Sequence, residues 1–424
     1  MVKIADIRAR RVWDSRGLPT IEIEVLSESR KTGRAIAPAG ASTGHREAAA
    51  LLDGGDRLGG KDVTLALAAV TEVVAPALIG SNFDSMSQFD QTLHKLSTAP
   101  NGPPVGANTT TAASLAMLHL LAAEKSVAAW QILGDLPATL PRPQIQIMGG
   151  GVHAAKRVAV QDFMVYPHTA TNISDALVQI AEIYHAVGEI LAKRGPISGV
   201  ADEGGHWPDV SDTEEALQLI VDGIAHTGLV PGVDMGICLD IAANQFYRAG
   251  RYVVGGHSYS RDEWVAELVR LAHSFPIVSI EDPVQEDDDA GMVAAVARCP
   301  AVIVGDDYLA TNATRIAAVP ERSIDAALVK VNQIGTVTEA KAAVDAARQR
   351  GLHIIVSARS GETEDTSVTH LATGWQADVL KVGSITRGER TAKWNELVRI
   401  DEYCGGLPLA PVIQKKVPPT ISEP

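Results

Sequence analysis

Hydrophobic and polar positions follow two different periods in the first third of the chain. In residues 21–25, isoleucine and valine alternate with glutamate, and this period of two predicts a β-strand with one face in water. After a loop rich in glycine, serine and threonine at residues 39–44, the apolar spacing becomes helical through most of residues 60–133. Strands followed by helices predict a small α+β domain at the N-terminus.

A proline-rich stretch at residues 136–143 divides the chain. Consecutive prolines exclude a helix and cannot donate hydrogen bonds inside a central strand, so we place the domain boundary there. Beyond it, short apolar runs alternate with helical segments of about 10–20 residues, which is typical of βα units around a parallel sheet. The sequence therefore predicts an α/β fold, with an α+β domain at residues 1–136 and a (β/α)8-like barrel at residues 137–424.

Several apolar runs of the second domain end in a charged residue. These residues are Asp240, Glu281, Asp306, Lys330, Arg359 and Lys381. In a (β/α)8 barrel the carboxyl ends of the strands surround one active-site mouth, so the six side chains are expected to meet. The three carboxylates form a hard oxygen site that favours Mg²⁺ or Mn²⁺ over zinc. For any one of these carboxylates, the alternative role is a helix cap or a surface ion pair. That alternative is less favourable when carboxylates end three successive strands.

The remaining charged positions have a chemical and a structural interpretation. Lys330 or Lys381 can act as a base if burial and neighbouring cations lower its pKa, although a salt-bridged lysine is the commoner role. Arg359 and Ser360 suit a phosphoryl group, or form a plain helix N-terminal turn. Glu203, in a glycine turn, is a candidate proton donor, and a surface turn is its alternative.

Charge and composition limit the partners. The net charge of −14 opposes nucleic acid and anionic lipid as partners, because both require a basic surface, but it is compatible with a small anionic substrate. The three cysteines are far apart, which predicts neither a disulfide framework nor a zinc cluster. We find no signal peptide and no apolar run of about 20 residues, and we therefore expect a cytoplasmic protein without a membrane partner.

Motifs spread from residue 6 to about residue 402 resemble those of the enolase family. They include Asp14-Ser15-Arg16-Gly17, Gly40-Ala41-Ser42-Thr43-Gly44, Asp202-Glu203-Gly204-Gly205, Ser279-Ile280-Glu281-Asp282-Pro283, Gly305-Asp306-Asp307, Lys330-Val331-Asn332-Gln333 and Arg359-Ser360-Gly361-Glu362. The resemblance implies an enolase-type barrel and a hydro-lyase that acts on a small phosphorylated or phosphonylated hydroxy acid. It also implies two Mg²⁺ ions per active site and a homodimer or larger homo-oligomer.

The same resemblance implies catalytic and metal-binding roles for individual residues. Lys330 is expected to take the proton from C2 of the substrate, and Glu203 to help expel the C3 hydroxyl, with Asp162 as a second acidic residue. The residues expected to bind metal are Asp240, Glu281 and Asp306 for the first ion and Ser42 for the second.

The resemblance also implies a set of substrate contacts. Lys381 is expected to contact the substrate carboxylate and Gln161 its polar edge. The phosphoryl end is expected to meet His153, Arg359 and Ser360, and the loop of Ser42 is expected to close over the second metal ion bound with the substrate. Taken alone, His153 is a weak candidate, because a single histidine is usually structural.

Two positions near the expected pocket depart from the family pattern. Ala358 stands where enolases carry a histidine, and Asp162 stands where they carry a glutamate. Both changes remove atoms, so we expect a bulkier substrate and a specialised relative, such as the carboxyphosphonoenolpyruvate synthase branch of phosphonate and phosphinate antibiotic biosynthesis. Ordinary glycolytic enolase activity is the alternative. A non-catalytic binding protein is a second alternative, which the retention of base, acid and metal ligands opposes.

Overall fold

A computed structural model describes residues 1–41, 44–100, 102–195 and 199–415. Ser42, expected to bind metal and substrate, lies outside the described residues. None of the helices in the described part of the chain has the length and apolar character needed to span a bilayer.

The N-terminal part is an antiparallel sheet of four strands covered by helices, as the sequence predicts. Its strands are β1 (Val2–Trp13), β2 (Pro19–Ser27), β3 (Thr32–Ile36) and β4 (Asn82–Phe83). Its helices are α1 (Thr64–Ala69), α2 (Ala75–Leu78), α3 (Met86–Ser97), α4 (Ala107–Lys125) and α5 (Trp130–Leu133), with a 3₁₀ turn at Arg57–Gly60 and a π-helical turn at Val70–Val74 between α1 and α2. The alternation in β2 buries its apolar residues, and Glu22 is also buried because Arg10 pairs with it at 2.6 Å.

Helix α4 is the core of this part and packs across β2 and β3. Its apolar residues are buried on almost every side, which explains why its sequence is apolar without a clear polar face. The contact with β3 depends on Gly33, because a Cβ atom at that position would lie 2.0 Å from the backbone oxygen of Ala116. Glycine at residue 33 therefore sets how closely helix and sheet approach.

The barrel part follows a proline-rich connection. Its strands are β5 (Arg142–Gly149), β6 (Asp162–Pro167), β7 (Gly199–Val200), β8 (His206–Trp207), β9 (Met235–Asp240), β10 (Tyr247–Arg248), β11 (Arg251–Val254), β12 (His257–Tyr259), β13 (Ile277–Glu281), β14 (Val302–Gly305), β15 (Ala326–Val329), β16 (His353–Ser357) and β17 (Val379–Ser384). Its helices are α6 (Ile173–Arg194), α7 (Thr213–His226), α8 (Arg261–Ser274), α9 (Asp289–Arg298), α10 (Ala313–Ala318), α11 (Val331–Ile334), α12 (Val337–Gln349), α13 (Ser367–Gly374) and α14 (Gly388–Cys404).

Eight of these strands close into a barrel within the described residues, in the order β5-β6-β9-β13-β14-β15-β16-β17 and back to β5. From β9 to β17 the pairing is parallel, as predicted, but β6 runs antiparallel to both β5 and β9. The reason is the connection between β5 and β6, which is a loop with a 3₁₀ turn at Gly151–Ala154 and no crossover helix. The reversal brings the start of β6, at Asp162, opposite Gly149 and Asp240 at the mouth of the barrel.

A buried carboxyl joins the N-terminal part to the barrel. Asp90 of α3 accepts hydrogen bonds from the backbone nitrogen of Thr338, at 2.9 Å, and from its hydroxyl, at 2.6 Å, at the start of α12. Burial raises the pKa of Asp90 to about 6. Because the folded pKa lies above the unfolded value, this group stabilises the fold fully only below about pH 4, and that contribution is lost as the pH rises through about 6.

The variant Asp90→Asn is therefore expected to gain stability relative to the parent chain as the pH rises. Asparagine keeps the acceptor for Thr338 and cannot ionise, so the gain should reach about 1–3 kcal/mol above pH 7 and vanish near pH 4. Thermal unfolding midpoints at pH 4.5 and 7.5 measure it. The exposed substitution Asp345→Asn on α12 is the control, and an equal pH dependence in both variants would contradict the assignment.

Candidate active site

Lys381 lies between two of the predicted metal ligands at the mouth of the barrel. Its Nζ donates to Asp240 Oδ2 at 3.1 Å and to Glu281 Oε2 at 2.7 Å, and all three side chains are buried. Burial and the charge of Asp240 raise the pKa of Glu281. Burial acts to lower the pKa of Lys381, but the two carboxylates outweigh it and the pKa is raised. These three side chains meet at the barrel mouth as predicted, although Lys381 lies within β17 and not at its end.

Lys330 meets the third predicted ligand. Its ammonium group forms an ion pair with Asp306, whose other carboxylate oxygen accepts from Gln333 Nε2 at 2.8 Å. Burial acts to lower the pKa of Lys330, but the charge of Asp306 outweighs it and the pKa is raised. This direction is opposite to the expectation of a lysine with a lowered pKa. The physical reason is the direct contact of the ammonium group with the Asp306 carboxylate.

His153, Asp162 and Glu203 form a second buried cluster, with ligand atoms within 4.8 Å of one another. His153 Nδ1 and Asp162 Oδ1 are 2.9 Å apart. Burial acts to lower the pKa of His153, but Asp162 outweighs it and raises the pKa to about 9. Burial and the charge of Asp162 raise the pKa of Glu203, which favours the protonated form that a proton donor requires.

Gln161 lies beside the metal ligands. Its Nε2 donates to Asp240 Oδ2 at 3.0 Å, and its Oε1 accepts from Gln245. The amide therefore borders the carboxylate cluster and is already oriented by two partners.

The residues expected to bind a phosphoryl group contact the N-terminal part. Arg359 donates to both carboxylate oxygens of Glu47, at 2.9 and 3.1 Å, and to Asn332 Oδ1 at 3.0 Å. Ser360 Oγ accepts from the backbone nitrogen of Ala41 at 2.6 Å. A substrate anion at Arg359 would therefore have to replace or share the position of Glu47.

Several residues that orient the site were not predicted from the sequence. Asp282, with a left-handed backbone (φ +41°), accepts from the backbone nitrogens of Asp306, at 3.0 Å, and Asp307, at 2.8 Å. Arg390 donates to the backbone oxygens of Arg359, at 2.6 Å, and Val382, at 2.9 Å. Asp282 was visible only as part of a motif, because its role depends on backbone groups that no side-chain pattern reveals.

The carboxylate cluster fits a divalent cation. Glu281 Oε1 is buried and has no hydrogen-bond partner among the described residues, and an unsatisfied buried carboxylate oxygen is costly unless a cation or donor compensates it. Asp240, Glu281 and Asp306 supply the oxygen ligands that Mg²⁺ prefers. The carboxylates of Asp282, Asp306 and Asp307 have ligand atoms within 4.8 Å of one another, but Asp282 already accepts from backbone donors, which assigns it to positioning the loop.

Comparison with known proteins agrees with this geometry. Residues 4–133 match the family model described as the enolase N-terminal domain, and residues 137–408 match the one described as the enolase C-terminal TIM barrel domain. A protein named Enolase from Acidothermus cellulolyticus (strain ATCC 43068 / DSM 8971 / 11B) is 40% identical over 406 residues, which cover 95% of this chain and 95% of that protein. The chain therefore belongs to the enolase family, whose members are Mg²⁺-dependent hydro-lyases acting on a small phosphorylated substrate.

Proposed function

We propose that this enzyme removes water from 2-phosphoglycerate, or from a close analogue of it, to give a phosphoenolpyruvate-like enol. The observation that carries the proposal is the pairing of two proton-transfer groups with a carboxylate cluster at one barrel mouth. Lys330 ends β15 beside Asp306, and Glu203 lies buried beside Asp162 with a raised pKa. A base and an acid of this kind are what a dehydration needs.

The difficult step is removal of a proton from the carbon next to a carboxylate, because it places two negative charges on one carboxyl group. Lys330 Nζ can take this proton only as a neutral amine, a form that the charge of Asp306 opposes. A cation bound to Asp306 would offset that charge, and the positive charge of Lys381, which lies near the same carboxyl group, favours the neutral amine. A divalent ion held by Asp240, Glu281 and Asp306 would supply further charge compensation.

The second step is loss of the hydroxyl at C3. Glu203 donates a proton to that hydroxyl, so water leaves and the double bond forms. His153, which Asp162 keeps protonated, and Arg359 offer positive charge to the phosphoryl end. The second metal ion is assigned to the loop of Ser42 by family resemblance alone.

The identity of the substrate is the finer part of the proposal. The relative named Enolase supports 2-phosphoglycerate itself and favours ordinary enolase activity over our first expectation of a specialised synthase. The second candidate is a carboxyphosphono analogue. It is favoured by the smaller side chains of Ala358 and Asp162, which stand where enolases carry a histidine and a glutamate and so leave more space near the pocket.

Purified protein with Mg²⁺ and each substrate in turn tests the choice, since formation of the enol raises ultraviolet absorbance. We expect turnover of 2-phosphoglycerate at about 10–10³ per second. Ala358→His, which fills the space beside the pocket, should spare this activity and abolish any turnover of the carboxyphosphono analogue, with Ala358→Ser as the size control. Turnover of the analogue alone would reverse the choice, and turnover of neither by magnesium-loaded protein would refute the hydro-lyase proposal.

We further propose a homodimer or larger homo-oligomer in the cytoplasm. Family resemblance supports the assembly, and the strongly acidic composition of the chain suits an enzyme that binds neither nucleic acid nor membranes.

A further inference from the structure

Gln146 links the two halves of the His153, Asp162 and Glu203 cluster. This glutamine lies on β5 and is completely buried. Its Nε2 donates to Asp162 Oδ1, and its Oε1 accepts from the backbone nitrogen of Gly205 at 2.8 Å. A carboxylate on one side and an N–H group on the other leave the amide a single orientation.

The turn that carries Glu203 approaches Gln146 through its backbone. A Cβ atom at Gly205 would lie 2.6 Å from Gln146 Oε1, and one at Gly149 would lie 2.4 Å from the Cβ atom of Ala201. Only glycine at these two positions allows the turn, β5 and the glutamine to meet. The requirement for glycine at residue 205, the second glycine of the Asp-Glu-Gly-Gly motif, therefore has a structural cause.

Asp162 receives both of its side-chain donors on the same oxygen. His153 Nδ1 lies 2.9 Å from Oδ1, and Gln146 Nε2 donates to the same atom. An aspartate reaches one methylene less far into the mouth than a glutamate would at this position. The glutamine therefore fixes the rotamer of Asp162, and through it the ring of His153.

We propose that Gln146 is a positioning residue for the dehydration, which holds Glu203 at a fixed distance from the Asp162–His153 pair. The inference rests on the proposed function. It extends that function because Gln146 touches no reacting atom and acts through Asp162 on one side and through Gly205 on the other. The charged groups that face Glu203 are Asp162, His153, Arg390 and Lys381, and Gln146 orients the first two.

The substitution Gln146→Met tests the proposal, since methionine has a similar length and makes neither hydrogen bond. A misplacement of about 1 Å can cost about 100-fold in rate, so we expect kcat to fall by about 10- to 100-fold with little change in KM. The high-pH limb of the kcat profile should move to lower pH, because a loosened turn exposes Glu203 to water.

The control is Gln144→Met, on the same strand two residues earlier. Gln144 is equally buried but contacts Met164, at 3.1 Å from Nε2 to Sδ. This variant should keep the parent kcat and pH profile. Equal loss of kcat in the two variants would assign Gln146 a merely structural role and overturn the proposal.

The variant Gln146→Glu adds a rescue. A protonated glutamic acid can donate to Asp162 and accept from Gly205, whereas its carboxylate can only accept. At pH values below the high-pH limb of every variant, its kcat relative to the parent should therefore rise as the pH falls, while that of Gln146→Met should stay constant there. The pH dependence of Gln146→Glu can be measured even if the methionine variant folds poorly. If the ratio of its kcat to that of the parent did not depend on pH in this range, the proposal would be overturned.

A crystal structure of Gln146→Met separates this inference from the proposed function, because it needs no substrate. We expect the carboxylates of Asp162 and Glu203 to move apart by about 1 Å or to adopt several conformers. Unchanged positions would refute the positioning role. Displaced carboxylates in a chain that turns over no substrate would instead refute the proposed reaction and leave the positioning role intact.

Discussion

Lys330→Ala is expected to lower kcat by about 10²- to 10⁴-fold, the range for loss of a positioned general base. The same variant should bind Mg²⁺ at least as tightly as the parent chain. The reason is the ion pair between Lys330 and Asp306, since removal of the ammonium group frees a carboxylate that the cation uses. Steady-state kinetics and calorimetric titration with Mg²⁺ measure the two effects.

The control for Lys330→Ala is Lys341→Ala, which removes a partly exposed lysine of α12 that pairs with Asp345. It should change neither kcat nor metal affinity. If Lys330→Ala retained full activity, the base would have to be another group. A loss of Mg²⁺ binding together with activity would indicate a damaged site and not a missing base.

Glu281→Gln is expected to weaken Mg²⁺ binding by more than about 100-fold, beyond the 10- to 100-fold cost of losing a residue that only supports a metal ligand. Activity at ordinary Mg²⁺ concentrations should be lost with it. Without Mg²⁺ the substitution has two opposite effects on stability, because a neutral amide removes the repulsion with Asp240 but also removes a negative charge that pairs with Lys381.

The readout for Glu281→Gln is the thermal midpoint with and without Mg²⁺. A ligand that binds only the folded chain stabilises it by RT ln(1 + [L]/Kd), so Mg²⁺ should raise the midpoint of the parent and not that of the variant. The exposed substitution Glu402→Gln should behave as the parent does. If Mg²⁺ raised the thermal midpoint of Glu281→Gln as much as that of the parent, Glu281 would not be a metal ligand.

The strand ends of the barrel could be predicted from the sequence because their position follows from periodicity. Asp240 and Glu281 are the last residues of β9 and β13, and Asp306 and Lys330 directly follow β14 and β15. Parallel strands bring such residues to one mouth whatever the rest of the chain does.

The remaining features depend on contacts that no local pattern encodes. The reversal of β6 explains why Asp162, at the beginning of a strand, joins residues at the ends of others. The contact of Glu47 with Arg359 joins residues 312 positions apart. Family resemblance assigned Asp162 to the site, but neither its bond to Gln146 nor the partner of Arg359 could be read from spacing.

The carboxylate of Glu47 on the Arg359 guanidinium makes anion binding at that point an exchange and not a simple addition. A singly charged ligand that displaced Glu47 would leave the charge around the guanidinium as it was. A doubly charged phosphoryl group would add one negative charge there and would gain the stronger attraction. Glu47 thus competes with an incoming anion for Arg359, so binding at this position depends on the charge of that anion.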